Sequence, residues 1–132
     1  MVHNDRVNQD LKDLGVQDLQ SDQVQGATII TRSHGLDLQR LKNFQKSNKV
    51  IETVCPYVKK IYDRVQEANQ KDYGVLVLGM KNHPEVEGIL SRAREGYVVS
   101  GPQDLEKIPK NKNYVLVSQT TNRKDFFNSL VN

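Results

Sequence analysis

Four consecutive apolar residues, Val75-Leu76-Val77-Leu78, stand between Gly74 and Gly79. A strand with one wet face alternates apolar and polar side chains. A strand that is apolar at every position is covered on both faces, as strands of a parallel sheet are. Parallel neighbours cannot be joined by a tight turn and need crossovers, usually helices. This run therefore commits the chain to helices on both sides of a sheet.

The remaining sequence supplies such crossovers. Asn4 to Leu14 carries Val7, Leu11 and Leu14 at helical spacing, with Asn4 as N-cap and Gly15 as stop. Residues 17–26 are polar and read as a loop. Ala27 to Thr31 is a short β-branched run, expected to be a buried strand. Ser33-His34-Gly35 breaks it, and Leu36 to Ser47 is helical through Leu38, Leu41 and Phe44. Lys49 to Val54 is a second strand, ended by Cys55-Pro56. Proline suits the first turn of a helix, here Tyr57 to Lys71. After the Gly74–Gly79 strand, Met80 to His83 is a loop and Pro84 to Ala93 a helix. Tyr97 to Ser100 is a fourth strand, Pro102 to Ile108 a short helix and Tyr114 to Ser118 a fifth strand. Gln119-Thr120-Thr121 follows, and Lys124 to Val131 is expected to be helical. Strand and helix alternate throughout, which means an α/β fold with mostly parallel sheets flanked by helices. A weak repeat of strand, polar cluster and helix runs through ATIITRSHG, KVIETVCP, GVLVLGMKNHPE and NYVLVSQTT.

Composition narrows the function classes. The 132 residues amount to about one domain. Hydrophobic residues are 36%, and even with the 8 glycines this falls slightly short of the globular average, so the core is expected to be thin. Net charge is +3, with 19 basic and 16 acidic residues. The densest basic stretch, Lys107 to Lys112, has no interleaved aromatics, so a nucleic-acid groove is not indicated. A mild preference for small anions such as phosphate esters fits. The single cysteine, Cys55, allows no internal disulfide. No apolar run is long enough to span a bilayer, and a cytoplasmic location is the expectation.

Ligands of open α/β sheets bind beyond the carboxyl ends of the strands. Four such ends carry His34, Cys55, His83 with Glu85, and Thr120 with Thr121. Singly these are ordinary loop, core or capping residues. Gathered on one edge, they form a coherent set. Histidines and threonine hydroxyls donate hydrogen bonds to phosphate oxygens. Glu85 is the one carboxylate of the set and the natural proton donor or relay. Cys55, at a strand-to-helix turn, is placed to favour thiolate and metal binding. No signature of a Cys–His nucleophile, phosphate loop, dinucleotide-binding turn or zinc site is present.

In this order and spacing, Val2-His3-Asn4, Ser33-His34-Gly35, Cys55-Pro56, His83-Pro84-Glu85-Val86-Glu87-Gly88 and Gln119-Thr120-Thr121 resemble the 4-hydroxy-3-methylbut-2-enyl diphosphate reductase family. The resemblance covers nearly the whole chain. It implies reduction of an allylic diphosphate to isopentenyl and dimethylallyl diphosphates, the last step of non-mevalonate isoprenoid synthesis. It implies a [4Fe–4S] cluster held by three cysteines, of which Cys55 is one, and an electron donor such as ferredoxin or flavodoxin. By the same resemblance His3, His34 and His83 bind the substrate, Glu85 delivers protons with Thr120 as its hydroxyl partner, and Thr121 is a further substrate contact. The family fold is a cloverleaf of three α/β units. Residues 1–54 would be the end of the first unit and 55–132 the second.

The departures from the family pattern are specific. Its other two cluster cysteines, and the serine and asparagine that close the diphosphate pocket, have no counterpart here. Val54 stands where threonine is usual, Lys59 for threonine, Asn82 for glycine, and Ile89-Leu90-Ser91 for Thr-Met-Gly. One thiolate cannot hold a four-iron cubane. The expectation is thus a partial or divergent reductase, inactive by itself. The alternatives are a diphosphate-binding module without redox activity and a structural remnant without a ligand.

Overall fold

The computed structural model describes residues 4–122 and 127–128. Its elements run α1 (Asp5–Asp13), β1 (Thr28–Ile30), α2 (Leu38–Gln45), β2 (Lys49–Ile51), α3 (Pro56–Gln70), β3 (Gly74–Leu78), α4 (Pro84–Leu90), β4 (Gly96–Val99), a 3-10 helix (Pro102–Lys107) and β5 (Tyr114–Ser118). The strands form two parallel sheets, a pair β1-β2 and a triplet in the order β4-β3-β5. The fold is α/β, with parallel strands in sheets flanked by helices. Of the helix expected over Lys124–Val131, Phe127 and Asn128 are helical and the rest lies outside the described residues.

The central strand is β3, and its unbroken apolar run has the expected cause. Val75 and Val77 point into one cluster with Val58, Tyr62, Val65 and Ala68 of α3, Val86 and Ile89 of α4, and Val117 of β5. Leu78 points into a second with Val99 and Ile108, bordered by Leu76, Leu105, Leu116 and Phe127. Alternate residues serve opposite faces. Both faces are dry, so no position of β3 is free to be polar.

Local signals set the helix ends. The Asn4 side chain accepts the Val7 N–H at 3.2 Å, and Gly15 follows in the left-handed region at φ +80°. Asp37 caps α2 through the Arg40 N–H at 2.9 Å. Pro56 opens α3. α4 is shorter than its periodicity implies and stops at Leu90, with Arg92 and Ala93 in tighter i−3 turns bonded to Ile89 and Leu90.

The expected buried strand near Ala27–Thr31 is only half buried. Ile29 is covered, but Ile30 is 50% exposed, and its register partner Ile51 is 41% exposed. α1 buries no residue, and Val7 and Leu14 remain at the surface. The apolar shortage noted in the composition thus falls on the amino-terminal half. The fully buried residues gather instead around Val75, Val77 and Leu78 of β3.

Candidate functional site

The carboxyl ends of β1, β2, β3 and β5 are linked by a chain of named contacts. From β1, Thr31 accepts the Thr53 N–H on its Oγ1 at 3.1 Å, and its carbonyl accepts the Thr53 hydroxyl. Two residues on, the Ser33 carbonyl accepts the Cys55 N–H at 2.7 Å. Cys55 is the half-buried N-cap residue of α3 and a free thiol. His34 follows Ser33, and its ring meets the His83 ring edge-on, centroids 6.5 Å apart.

His83 caps α4. Its Nδ1 accepts the Glu85 N–H at 3.1 Å. An acceptor Nδ1 means that the neutral ring carries its proton on Nε2, which is then a donor for an anion. The turn before it needs a left-handed residue. Asn82 has φ +63°, and asparagine tolerates that region better than most side chains. This accounts for asparagine standing where the family pattern has glycine.

Glu85 is the centre of the site. It is 3% exposed. One carboxylate oxygen accepts the Thr120 N–H at 2.7 Å, the other the Thr120 hydroxyl at 2.9 Å. Among the described residues, this buried carboxylate is held by two uncharged donors. Thr120 itself is exposed. A buried acid therefore reaches the surface through one hydroxyl. Gln119 holds this arrangement in place. Its Oε1 accepts the Met80 N–H at 3.1 Å, and its Nε2 donates to Thr121 Oγ1 at 2.7 Å. Asn122 Nδ2 donates to the Leu78 carbonyl at 2.7 Å and to Ser118 Oγ at 3.1 Å.

The loop after β1 is packed against α3 and α4. Gly35 has φ +83°, and a Cβ there would lie 2.1 Å from Tyr62 Oη, so glycine is required twice over. The Tyr62 hydroxyl donates to the His34 carbonyl at 3.4 Å. Burial pushes the Tyr62 hydroxyl above its ordinary range; Arg92 opposes that rise, and Glu85 and Glu52 add to it.

Of the residues expected to form the site, His34, Cys55, His83, Glu85, Thr120 and Thr121 belong to this connected edge. His3 lies outside the described residues. Cys55 brings one sulfur, and among the described residues no three His, Cys, Asp or Glu side chains gather as metal ligands. The side chains here do not fit an iron–sulfur cluster by themselves. Sequence reasoning missed Gln119, Tyr62, Ser91 and Arg92. Gln119 stood next to the threonines and could have been included; the other three bond across 28 to 56 residues and leave no local signal.

The comparisons with known proteins agree with this architecture. A 4-hydroxy-3-methylbut-2-enyl diphosphate reductase of Aquifex aeolicus is 36% identical over 137 residues, an alignment that takes in 99% of this chain and 47% of the relative. The enzyme of the same name from Geobacter sp. strain M21 is 35% identical, across 99% of this chain and 48% of the relative. A solved structure of (E)-4-hydroxy-3-methyl-but-2-enyl diphosphate reductase superimposes with a TM-score of 0.89 at 35% identity, covering 98% of this chain and 48% of its own. The Plasmodium falciparum reductase structure gives 0.85 at 32% identity, covering 98% and 43%. The chain therefore spans about half the length of the relatives it matches. The family model for LytB protein matches residues 1–132, and the chain belongs to that family.

Proposed function

We propose that this chain supplies the proton-delivering and diphosphate-binding edge of a 4-hydroxy-3-methylbut-2-enyl diphosphate reductase. The reaction is reductive dehydroxylation to isopentenyl and dimethylallyl diphosphates in isoprenoid synthesis, carried out as part of a longer enzyme. The observation that carries this reading is the buried Glu85 carboxylate held on both oxygens by Thr120.

A hydroxyl group leaves as water only after gaining a proton. Glu85 fits that task. Its Oε1 is committed to the Thr120 backbone, so a proton would reside on Oε2, facing the Thr120 hydroxyl. With Glu85 protonated, the bond reverses: Oε2 donates to Thr120 Oγ1, and Thr120 donates outward to the substrate. A buried acid with an exposed hydroxyl relay delivers one proton while keeping its charge out of bulk water. The His83 Nε2–H and His34 hold the diphosphate, with His3 and Thr121 as further contacts. Phosphate oxygens are best held by several convergent donors.

Cys55 is one corner of the [4Fe–4S] site in this reading. The chain does not gather the remaining ligands, and no step of the proton chemistry passes through the cluster. Electrons would come from a donor such as ferredoxin or flavodoxin. Residues 1–54 and 55–132 are the end of the first α/β unit and the second unit of the cloverleaf, and the setting is cytoplasmic. Among the described residues no helix is long and apolar enough to cross a membrane.

For the isolated chain, the single cysteine favours the second reading, diphosphate binding without redox chemistry. Two experiments test both. Calorimetric titration with inorganic pyrophosphate should show binding that is lost in His83→Ala. Replacing the matching segment of the Aquifex aeolicus relative with this chain should give a cluster-bearing chimera that turns over the allylic diphosphate. Turnover without Glu85, or a chimera that binds its cluster yet is inert, removes the reductase reading. Absence of heat with pyrophosphate removes the binding reading.

A further inference from the structure

The departure from the family pattern after Gly88 has a structural counterpart. Ser91 stands where that pattern has glycine, and its Oγ accepts the Leu38 N–H at 2.9 Å while donating to the Gly88 carbonyl at 2.9 Å. Arg92, next in sequence, places one nitrogen 2.8 Å from the Leu36 carbonyl and 2.6 Å from that of Gly88. Its guanidinium lies 3.8 Å over the Tyr62 ring. Tyr62 in turn donates to the His34 carbonyl at 3.4 Å. Backbone groups of residues 34, 36 and 38 are thus held from three side chains on α3 and just beyond α4.

These bonds bear on a distance that matters. The His34 loop has no regular structure between Thr31 and Asp37, so nothing in β1 itself dictates where its ring lies. A Cβ on Gly88 would lie 3.0 Å from Tyr62 Oη and 3.4 Å from the Leu36 carbonyl, so loop and helix are in direct contact. Arginine is suited to this role. One of its guanidinium nitrogens reaches two carbonyls while its planar face stacks on an aromatic ring. We propose that Tyr62, Ser91 and Arg92 are positioning residues: they clasp the loop after β1 to α4 and set His34 at its distance from His83. A glycine at position 91 cannot make the Leu38 bond, so this chain holds the loop by contacts outside the family pattern.

The proposal rests on the diphosphate reading of the site, and its test separates the two. The chain has 3 histidines, so the ring protons of His34 and His83 are readily assigned by NMR. Edge-on rings with centroids 6.5 Å apart should give a nuclear Overhauser contact without any ligand. Arg92→Met should keep cooperative unfolding and the Glu85-bonded Thr120 amide resonance. It should lose the His34–His83 contact and bind inorganic pyrophosphate about tenfold more weakly, the size of one charge-assisted hydrogen bond. Arg92→Lys should recover part of both, since lysine keeps a charged donor but not the planar face that lies over Tyr62. Ser91→Gly, which removes one Oγ, is the milder variant should Arg92→Met fail to fold; it should weaken the contact and the affinity about threefold. An unchanged ring contact in the folded variants overturns the clasp. A wild-type chain whose histidines ignore pyrophosphate removes the diphosphate reading, while the ring contact still decides the clasp.

Discussion

The two ends of the three-stranded sheet each hold a carboxylate with two side-chain or backbone donors, and they are built in opposite ways. At the carboxyl end, Glu85 is buried and bonded to the amide and hydroxyl of Thr120. At the amino end, Glu95 is reached by solvent. It accepts from Lys112 Nζ at 2.7 Å and from the Tyr97 hydroxyl at 2.9 Å. Lys112 also lies 3.8 Å from Asp72. The Lys112 bond, then that of Tyr97, hold the Glu95 carboxyl below its usual range. A cation keeps a carboxylate ionised and occupied. Glu85 instead meets a backbone amide and a hydroxyl whose residue is itself exposed. The difference is what the proposed proton-delivering role of Glu85 rests on, against a carboxylate at the amino end that serves an ion pair.

Turnover should break the symmetry most sharply. In the chimera with the Aquifex aeolicus relative, Glu85→Gln should lower turnover by about 10²–10⁴-fold, the contribution usual for a general acid. Glutamine preserves both bonds to Thr120, so folding should be unaffected. Glu95→Gln should leave turnover unchanged. Equal effects at the two ends would erase the distinction.

Stability should separate them next. Thr120→Val removes the hydroxyl from a buried carboxylate and should cost about 1 kcal/mol in urea unfolding. Tyr97→Phe, at the solvent-reached end, should lower the unfolding midpoint less than Thr120→Val does, since water can replace the lost bond to Glu95.

Acid should then act on the amino end. Because the folded protein holds Glu95 below its ordinary value of 4.5, the unfolded chain binds more protons in acid. The stabilisation is present above that value and disappears as pH falls through the lower folded one. Glu95→Gln should flatten this limb of a plot of unfolding midpoint against pH, and added salt should shrink it in the wild type.

The smallest effect belongs to the turn before His83. Asn82→Gly should change stability by no more than about 0.5 kcal/mol, since glycine accepts positive φ freely while loosening the unfolded chain. A larger loss would mean that the asparagine side chain does more than tolerate φ +63°.

Much of this was legible in one dimension. The cap at Asn4, the start of α3 at Pro56 and the doubly covered β3 follow from neighbours in sequence. So does the placement of His34, Cys55, His83, Glu85 and Thr120 at carboxyl ends of parallel strands, whereas the approach of the β1-β2 group to the β3-β5 group is tertiary. The exposure of Ile30 and Ile51 was not legible. A β-branched run shows that a strand forms, but burial depends on what packs against it. The end of α4 at Leu90 was likewise unreadable, because Ser91 and Arg92 leave the helix to bond a loop more than fifty residues back.

The amino-acid sequence by itself determined the alternation of strands and helices, their parallel pairing and the residue types at the carboxyl ends of the strands. Propensity, capping and apolar spacing act over a few residues and can be read locally. Only the tertiary structure decided that β3 is flanked by β4 and β5, that β1 and β2 form a separate pair, and that Glu85 is gripped by Thr120. The same holds for the clasp of Tyr62, Ser91 and Arg92 on the His34 loop. Each of these joins groups far apart in the chain, and such contacts form only where burial brings their partners within hydrogen-bonding distance.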